Sequence, residues 1–187
     1  MDHYLDIKIL EDPEFTAPIL MNALFSKLHR ALVAVSDNDI GVSFPSANRS
    51  TLGKQLRVHG TKERLEQLEQ FPWRKGLGDF TNVVGINKTP DTKEYWLVQR
   101  MHVQSSPDRL RRRAMKRHSL TYDQAVERIP DSAGKRLDLP FIRIKSRSTN
   151  GQQFPLFIKQ TLLAEVKTSA IFFSKYGLSA TTPVPKF

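Results

Sequence analysis

Tyr4-Leu5-Asp6-Ile7-Lys8-Ile9-Leu10 sets Leu5, Ile7 and Ile9 against Tyr4, Asp6 and Lys8 in strict alternation. Residues two apart share one face of a strand, so this stretch predicts a half-buried β-strand. Pro13 and Pro18 punctuate the turn that follows. The period then changes. From Ile19 to Val35, Leu20, Leu24, Leu28 and Leu32 fall on one stripe, which predicts an amphipathic helix.

Working outward, Ile40 to Phe44 reads as a short strand stopped by Pro45, and Leu52 to His59 as another. Thr61 to Phe71 predicts a helix carrying Leu65 and Leu68, with Thr61 as its cap. Phe80 to Ile86 reads as a strand. The order β-α-β-β-α-β is the ferredoxin-like (RRM-like) pattern. Many RNA-binding modules share it, as do many proteins that bind no RNA. The polar stretch Asn87 to Glu94 (NKTPDTKE) marks a boundary. The expected fold class is therefore α+β, with a ferredoxin-like domain over 1–94 and a second α+β domain over 95–187.

Beyond that boundary, Tyr95 to Gln104 is strand-like, and Arg100, His102 and Gln104 share a face. Next comes SPDRLRRRAMKRH, residues 106–118. Ser106 suits an N-cap, Pro107 the first helical position, and Asp108 the positive end of the helix dipole. The segment is thus read as an arginine-rich helix over 107–118. Arg109, Arg112, Arg113, Lys116 and Arg117 recur at spacings of three and four and form one cationic face, while Leu110 and Ala114 can pack inward. Arg109 to Arg117 spans roughly 12 Å. Like charges at that spacing repel, and phosphates are the usual compensation.

Thr121 and Gln124 form a capping-box pattern for a second helix, ending at Ile129-Pro130. Strands are expected at Phe141 to Ser146, Phe154 to Lys159, Leu162 to Val166 and Ala170 to Ser174. The loop from Ser146 to Gln152 is small and polar, and a proline-rich tail ends the chain.

Composition agrees with a polyanion partner. Across 187 residues, 29 Lys and Arg face 19 acidic groups, a formal net charge of +10. The chain has no cysteine, which excludes disulfides, zinc knuckles and a thiol nucleophile. Residues 1–10 carry Asp2, Asp6 and Lys8, unlike a signal peptide, and no apolar run is long enough to span a bilayer. The expectation is a cytoplasmic protein without membrane partners.

The five histidines are His3, His29, His59, His102 and His118. Imidazole is the natural proton carrier near neutral pH. His29 lies beside the apolar stripe of the first helix. Carboxylates are scattered and no His/Asp cluster has ligand spacing, so neither a metal nor another cofactor is expected. RNA can be cut without one, because the ribose 2′-OH can attack its own phosphate. The protein then supplies a base, a group to hold the hydroxyl, and charge stabilisation.

Six segments in order resemble the CRISPR repeat-processing endoribonucleases of type I-F systems: MDHYLDI, FSKLHRAL, IGVSFP, SPDRLRRRAMKRH, LDLPFIRIKSRST and YGLS. The resemblance implies cleavage at the base of a CRISPR repeat hairpin, leaving a 2′,3′-cyclic phosphate and a 5′-OH. It also implies retention of the crRNA hairpin within a surveillance complex of other subunits. It assigns acid–base chemistry to His29, the hold on the 2′-OH to Ser146 with Ser148 supporting the loop, and the positioning of His29 to Tyr176. Arg100 would read a base, Arg113 and Arg117 would face the groove, and Phe154 would stack at the foot of the stem. The second base reader in the family is a glutamine two residues after the arginine. Here that position is His102, with Gln104 two further on. The serine loop is one residue longer, at Asn150. Two other readings are a non-cleaving cap on the crRNA hairpin and a general basic RNA-binding module.

Overall fold

The computed structural model describes residues 1–35, 37–102, 107–133, 137–145, 151–163 and 170–187. It is α+β, with two antiparallel four-stranded sheets and four α-helices among the described residues. Two compact units divide the chain. One comprises Met1–Met101 with Leu139–Phe187, and the other His102–Asp138. The boundary expected at 87–94 falls between the two sheets, and both sheets belong to the larger unit.

In that unit the first sheet runs β2-β3-β1-β4, built from β1 (His3–Ile9), β2 (Gly41–Ser43), β3 (Gln55–Gly60) and β4 (Thr81–Lys88). Helices α1 (Ala17–Val35) and α2 (Lys62–Glu69) complete it. The alternation of β1 buries Leu5, Ile7 and Ile9 with Leu24 and Leu28 of α1 and Leu65 and Leu68 of α2. Thr61 caps α2 by accepting from the Arg64 N–H.

The opposite face of β1 and β3 is not left to solvent. Asp6 and Arg57 are cross-strand partners, joined by two hydrogen bonds of 2.7 Å. The guanidinium lies 4.8 Å from the Tyr4 ring centroid and 3.8 Å from that of Phe187. Beside it, His59 is fully buried, with Nε2 2.8 Å from Ser43 Oγ. Burial, followed by the nearby Arg57 charge, pushes its pKa down to about 3.

The second sheet runs β6-β7-β5-β8, from β5 (Tyr95–Met101), β6 (Phe141–Lys145), β7 (Gln153–Leu163) and β8 (Val184–Pro185). It differs from expectation in three places. Strand β7 runs unbroken through Lys159 to Leu163. Ala170 to Ser174 is not a strand, because its backbone bonds go singly to separate partners. Phe173 N–H donates to Asn38 O at 2.7 Å, and Phe172 N–H to Thr182 Oγ1 at 3.0 Å. The tail supplies β8, with Val184 opposite Trp96 and Pro185 opposite Tyr95.

The smaller unit holds α3 (Pro107–His118) and α4 (Tyr122–Arg128). Both hydrogen bonds of the Thr121–Gln124 capping box are present. On α3, Arg109, Arg112, Arg113, Lys116 and Arg117 are exposed, and Leu110 and Ala114 are half-buried. The buried residue of α3 is Arg111. It donates to Ile129 O at 2.9 Å and to Asp131 Oδ1 at 2.7 Å, tying α3 to the end of α4. No helix among the described residues is long and apolar enough to cross a membrane.

Candidate active site

His29 owes its place to the register of α1. Leu24, Phe25, Leu28 and Leu32 are buried, and His29 is carried to the margin of that stripe, half-buried. Its ring stacks on Tyr176, with centroids 4.0 Å apart and planes 15° from parallel. The Phe25 ring also lies parallel to Tyr176, with centroids 6.5 Å apart and planes 2° from parallel.

A backbone carbonyl fixes the other edge of the imidazole. Nδ1 lies 2.7 Å from Lys175 O. A carbonyl can only accept, so Nδ1 carries the proton. In the neutral ring the free lone pair is then on Nε2. Among the described residues nothing hydrogen-bonds to Nε2.

The turn that presents Lys175 and Tyr176 is held tightly. Ser174 Oγ accepts from the N–H of Tyr176 at 3.4 Å and of Leu178 at 3.3 Å. Gly177 has φ +70°, and its carbonyl accepts from Val42 N–H at 2.9 Å. An added Cβ there would stand 2.7 Å from Val42 Cγ1. Glycine is thus required twice over, by conformation and by space.

Arg100, exposed on β5, brings its guanidinium 6.0 Å from the Tyr176 centroid and 5.7 Å from that of Phe154 on β7. A cation lies beside two aromatic faces, next to the stacked imidazole. His29, Tyr176 and Phe154 line a groove of about 1250 Å³ between α1 and the β6–β7 edge. Among the described residues no three His, Asp or Glu groups gather closely enough to hold a metal ion.

A family model described as CRISPR-associated protein (Cas_Csy4) matches residues 4–187. The chain belongs to the Cas_Csy4 family. Two relatives bear the name CRISPR-associated endonuclease Cas6/Csy4. One, from Escherichia coli (strain UTI89 / UPEC), is 46% identical over 187 residues, covering the whole of both chains. The other, from Pseudomonas aeruginosa (strain UCBPP-PA14), is 46% identical over 189 residues, again covering both chains in full.

In this Cas_Csy4 member the structure gathers four of the sequence-derived candidates, His29, Tyr176, Arg100 and Phe154, in the larger unit. Ser146, Ser148 and Gln104 lie outside the described residues, as do Ser106 and Asn150. Strand β5 ends at Met101, so His102 follows the strand, exposed, at the start of the smaller unit. The exposed cations of α3 belong to that unit too. Sequence reading missed the Lys175 carbonyl and the groove. The one local signal that could have pointed there is Gly177, directly after Tyr176.

Proposed function

We propose that this chain is an endoribonuclease that cleaves CRISPR repeat RNA at the base of a hairpin without a metal ion. The observation that carries the reading is the setting of His29. One ring nitrogen is committed to a carbonyl and one face to Tyr176, and among the described residues nothing bonds to Nε2, beside a groove. Whole-length membership of a family whose relatives are named endonucleases supports the same reading.

In this mechanism the ribose 2′-oxygen attacks the adjacent phosphorus while a base takes its proton. The bond from phosphorus to the 5′-oxygen breaks, and that oxygen is protonated. The products are a 2′,3′-cyclic phosphate and a 5′-OH. His29 supplies acid–base chemistry through Nε2. Ser146 holds the 2′-OH, Ser148 supports its loop, and Tyr176 keeps the imidazole in plane. Arg100 reads a base at the foot of the stem, with His102 or Gln104 as second reader, and Phe154 stacks on the terminal base. Arg109, Arg112, Arg113, Lys116 and Arg117 meet the phosphates of the hairpin.

The functional division follows: a ferredoxin-like domain over 1–94 bearing the histidine, and an RNA-binding domain over 95–187 with the arginine-rich helix. The strand order β2-β3-β1-β4, with both helices packed on one sheet, supports the first. Because the stem supplies most contacts, the cut hairpin stays bound, and the protein serves as a subunit of a cytoplasmic type I-F surveillance complex.

The test is to incubate the protein with labelled repeat RNA in EDTA, beside the same RNA carrying 2′-deoxyribose at the cut site. Cleavage of the first alone is expected. A requirement for a divalent ion, or cutting of the deoxy substrate, would refute the mechanism.

A further inference from the structure

Helix α1 has a second stripe besides its buried leucines. Ile19, Ala23, Ser26, Arg30 and Val33 recur at spacings of three and four and line the groove that His29 and Tyr176 also line. From position 19 to 33 the stripe extends about 21 Å at ~1.5 Å per residue. Two of its apolar members are open to solvent, Ile19 at 52% and Val33 at 56%. Folding alone gives no reason for them.

The facing wall is β6, an edge strand of the second sheet. Asn22 joins the walls, its Oδ1 accepting from Arg143 N–H at 2.9 Å. The described lining carries Lys27, Arg30, Arg143 and Lys145 and no Asp or Glu. Lys27 is committed to Lys75 O at 2.7 Å. Arg30, Arg143 and Lys145 are exposed. Cations interleaved with open apolar side chains, along a track of this length, suit the backbone and bases of a single strand.

We infer that this groove binds the single-stranded RNA that continues past the cut, on the leaving-strand side. The inference rests on the function proposed above. That reading assigns the foot of the stem to Arg100 and Phe154. The remaining length of α1 is left for nucleotides on the other side of the scissile phosphate. Charge complementarity and continuity with His29 favour RNA over an acidic protein segment.

The chain has no cysteine, so Ile19→Cys or Val33→Cys introduces one thiol at a position open to solvent. Each variant is mixed with hairpin RNA made uncleavable by 2′-deoxyribose at the cut. One RNA ends just past the cut and the other carries a single-stranded flank. The flanked RNA slows thiol labelling at both positions on the order of tenfold, and the short RNA does not. The flank also tightens binding on the order of tenfold at low salt, and Arg30→Ala/Lys145→Ala removes that gain. Equal labelling with the two RNAs overturns the inference. So does protection by an added polyglutamate peptide but not by the flank. If the short hairpin itself does not bind, the proposed function fails and this inference fails with it.

Discussion

The side-chain amide of Gln160 stands in for a strand against the main chain of Phe44. Its Oε1 accepts from Phe44 N–H at 3.0 Å, and its Nε2 donates to Phe44 O at 3.1 Å. Phe44 follows β2 in the first sheet and Gln160 lies in β7 of the second, so one amide pins the two sheets together. Phe44 is fully buried.

Gln160→Leu keeps much of the volume but takes the partner from Phe44 N–H, while Phe44 O keeps its bond from Ala47 N–H at 3.0 Å. Leaving that one buried N–H unsatisfied costs about 1–3 kcal/mol. Urea unfolding should show a clear drop in midpoint at unchanged m-value. An unchanged midpoint would mean that the sheets hold together without the amide.

Gly177→Ala should damage activity more than its size suggests. A left-handed φ costs a residue with a Cβ about 1–2 kcal/mol, and that Cβ meets Val42. Relief moves the turn that carries Lys175 and Tyr176. We expect a lower Tm and a larger fall in single-turnover cleavage than in hairpin affinity. Equal falls in both would place the effect in folding alone.

His29→Ala should abolish cleavage in EDTA while hairpin affinity stays within about twofold, since acid–base contributions are about 10²–10⁴ in rate. Gel-shift and single-turnover assays on the same preparation separate the two. Normal cutting by this variant would remove His29 from the chemistry.

Acid should destabilise the fold through His59. Its folded pKa of about 3 lies below the ordinary value of 6.5. Below pH 6.5 the unfolded chain gains a proton that the folded one refuses. Stability therefore falls as pH drops from about 6.5 towards 3, by up to ~1.4 kcal/mol per unit, and this ring adds no slope above that window. His59→Gln should flatten the pH dependence of the urea midpoint between pH 6 and 4. A slope indifferent to this substitution would point to other groups.

Arg113→Ala should weaken hairpin binding and lower the salt slope by about one. The slope is read from affinities at several salt concentrations. If it does not change, that arginine does not meet a phosphate.

Local pattern made much of this architecture legible. The alternation in β1, the leucine stripe of α1, the Thr61 cap and the Thr121–Gln124 box all follow from neighbours in sequence. What escaped depends on distant partners. Arg57 and His59 alternate with buried Leu56 and Val58, so they read as a solvent face. They are buried because Phe187 comes back from the far end of the chain to cover them. The pairing of Val184 with Trp96 gives no local signal, since two residues and a proline make no period. Arg111 stands outside the cationic spacing of α3 and carries no signal of burial, and only the fold brings Asp131 to it. At the site, residue type marked His29 and the family resemblance marked Tyr176, but a carbonyl has no residue type to read.

That carbonyl has a consequence for how the site can vary. The atom that decides which imidazole nitrogen holds the hydrogen belongs to the peptide chain, and every amino acid offers the same one. The side chain at position 175 takes no part in that choice, which the backbone oxygen makes. Selection for the correct protonated edge therefore acts on the path of the loop, and a sequence could drift there while its chemistry stood still.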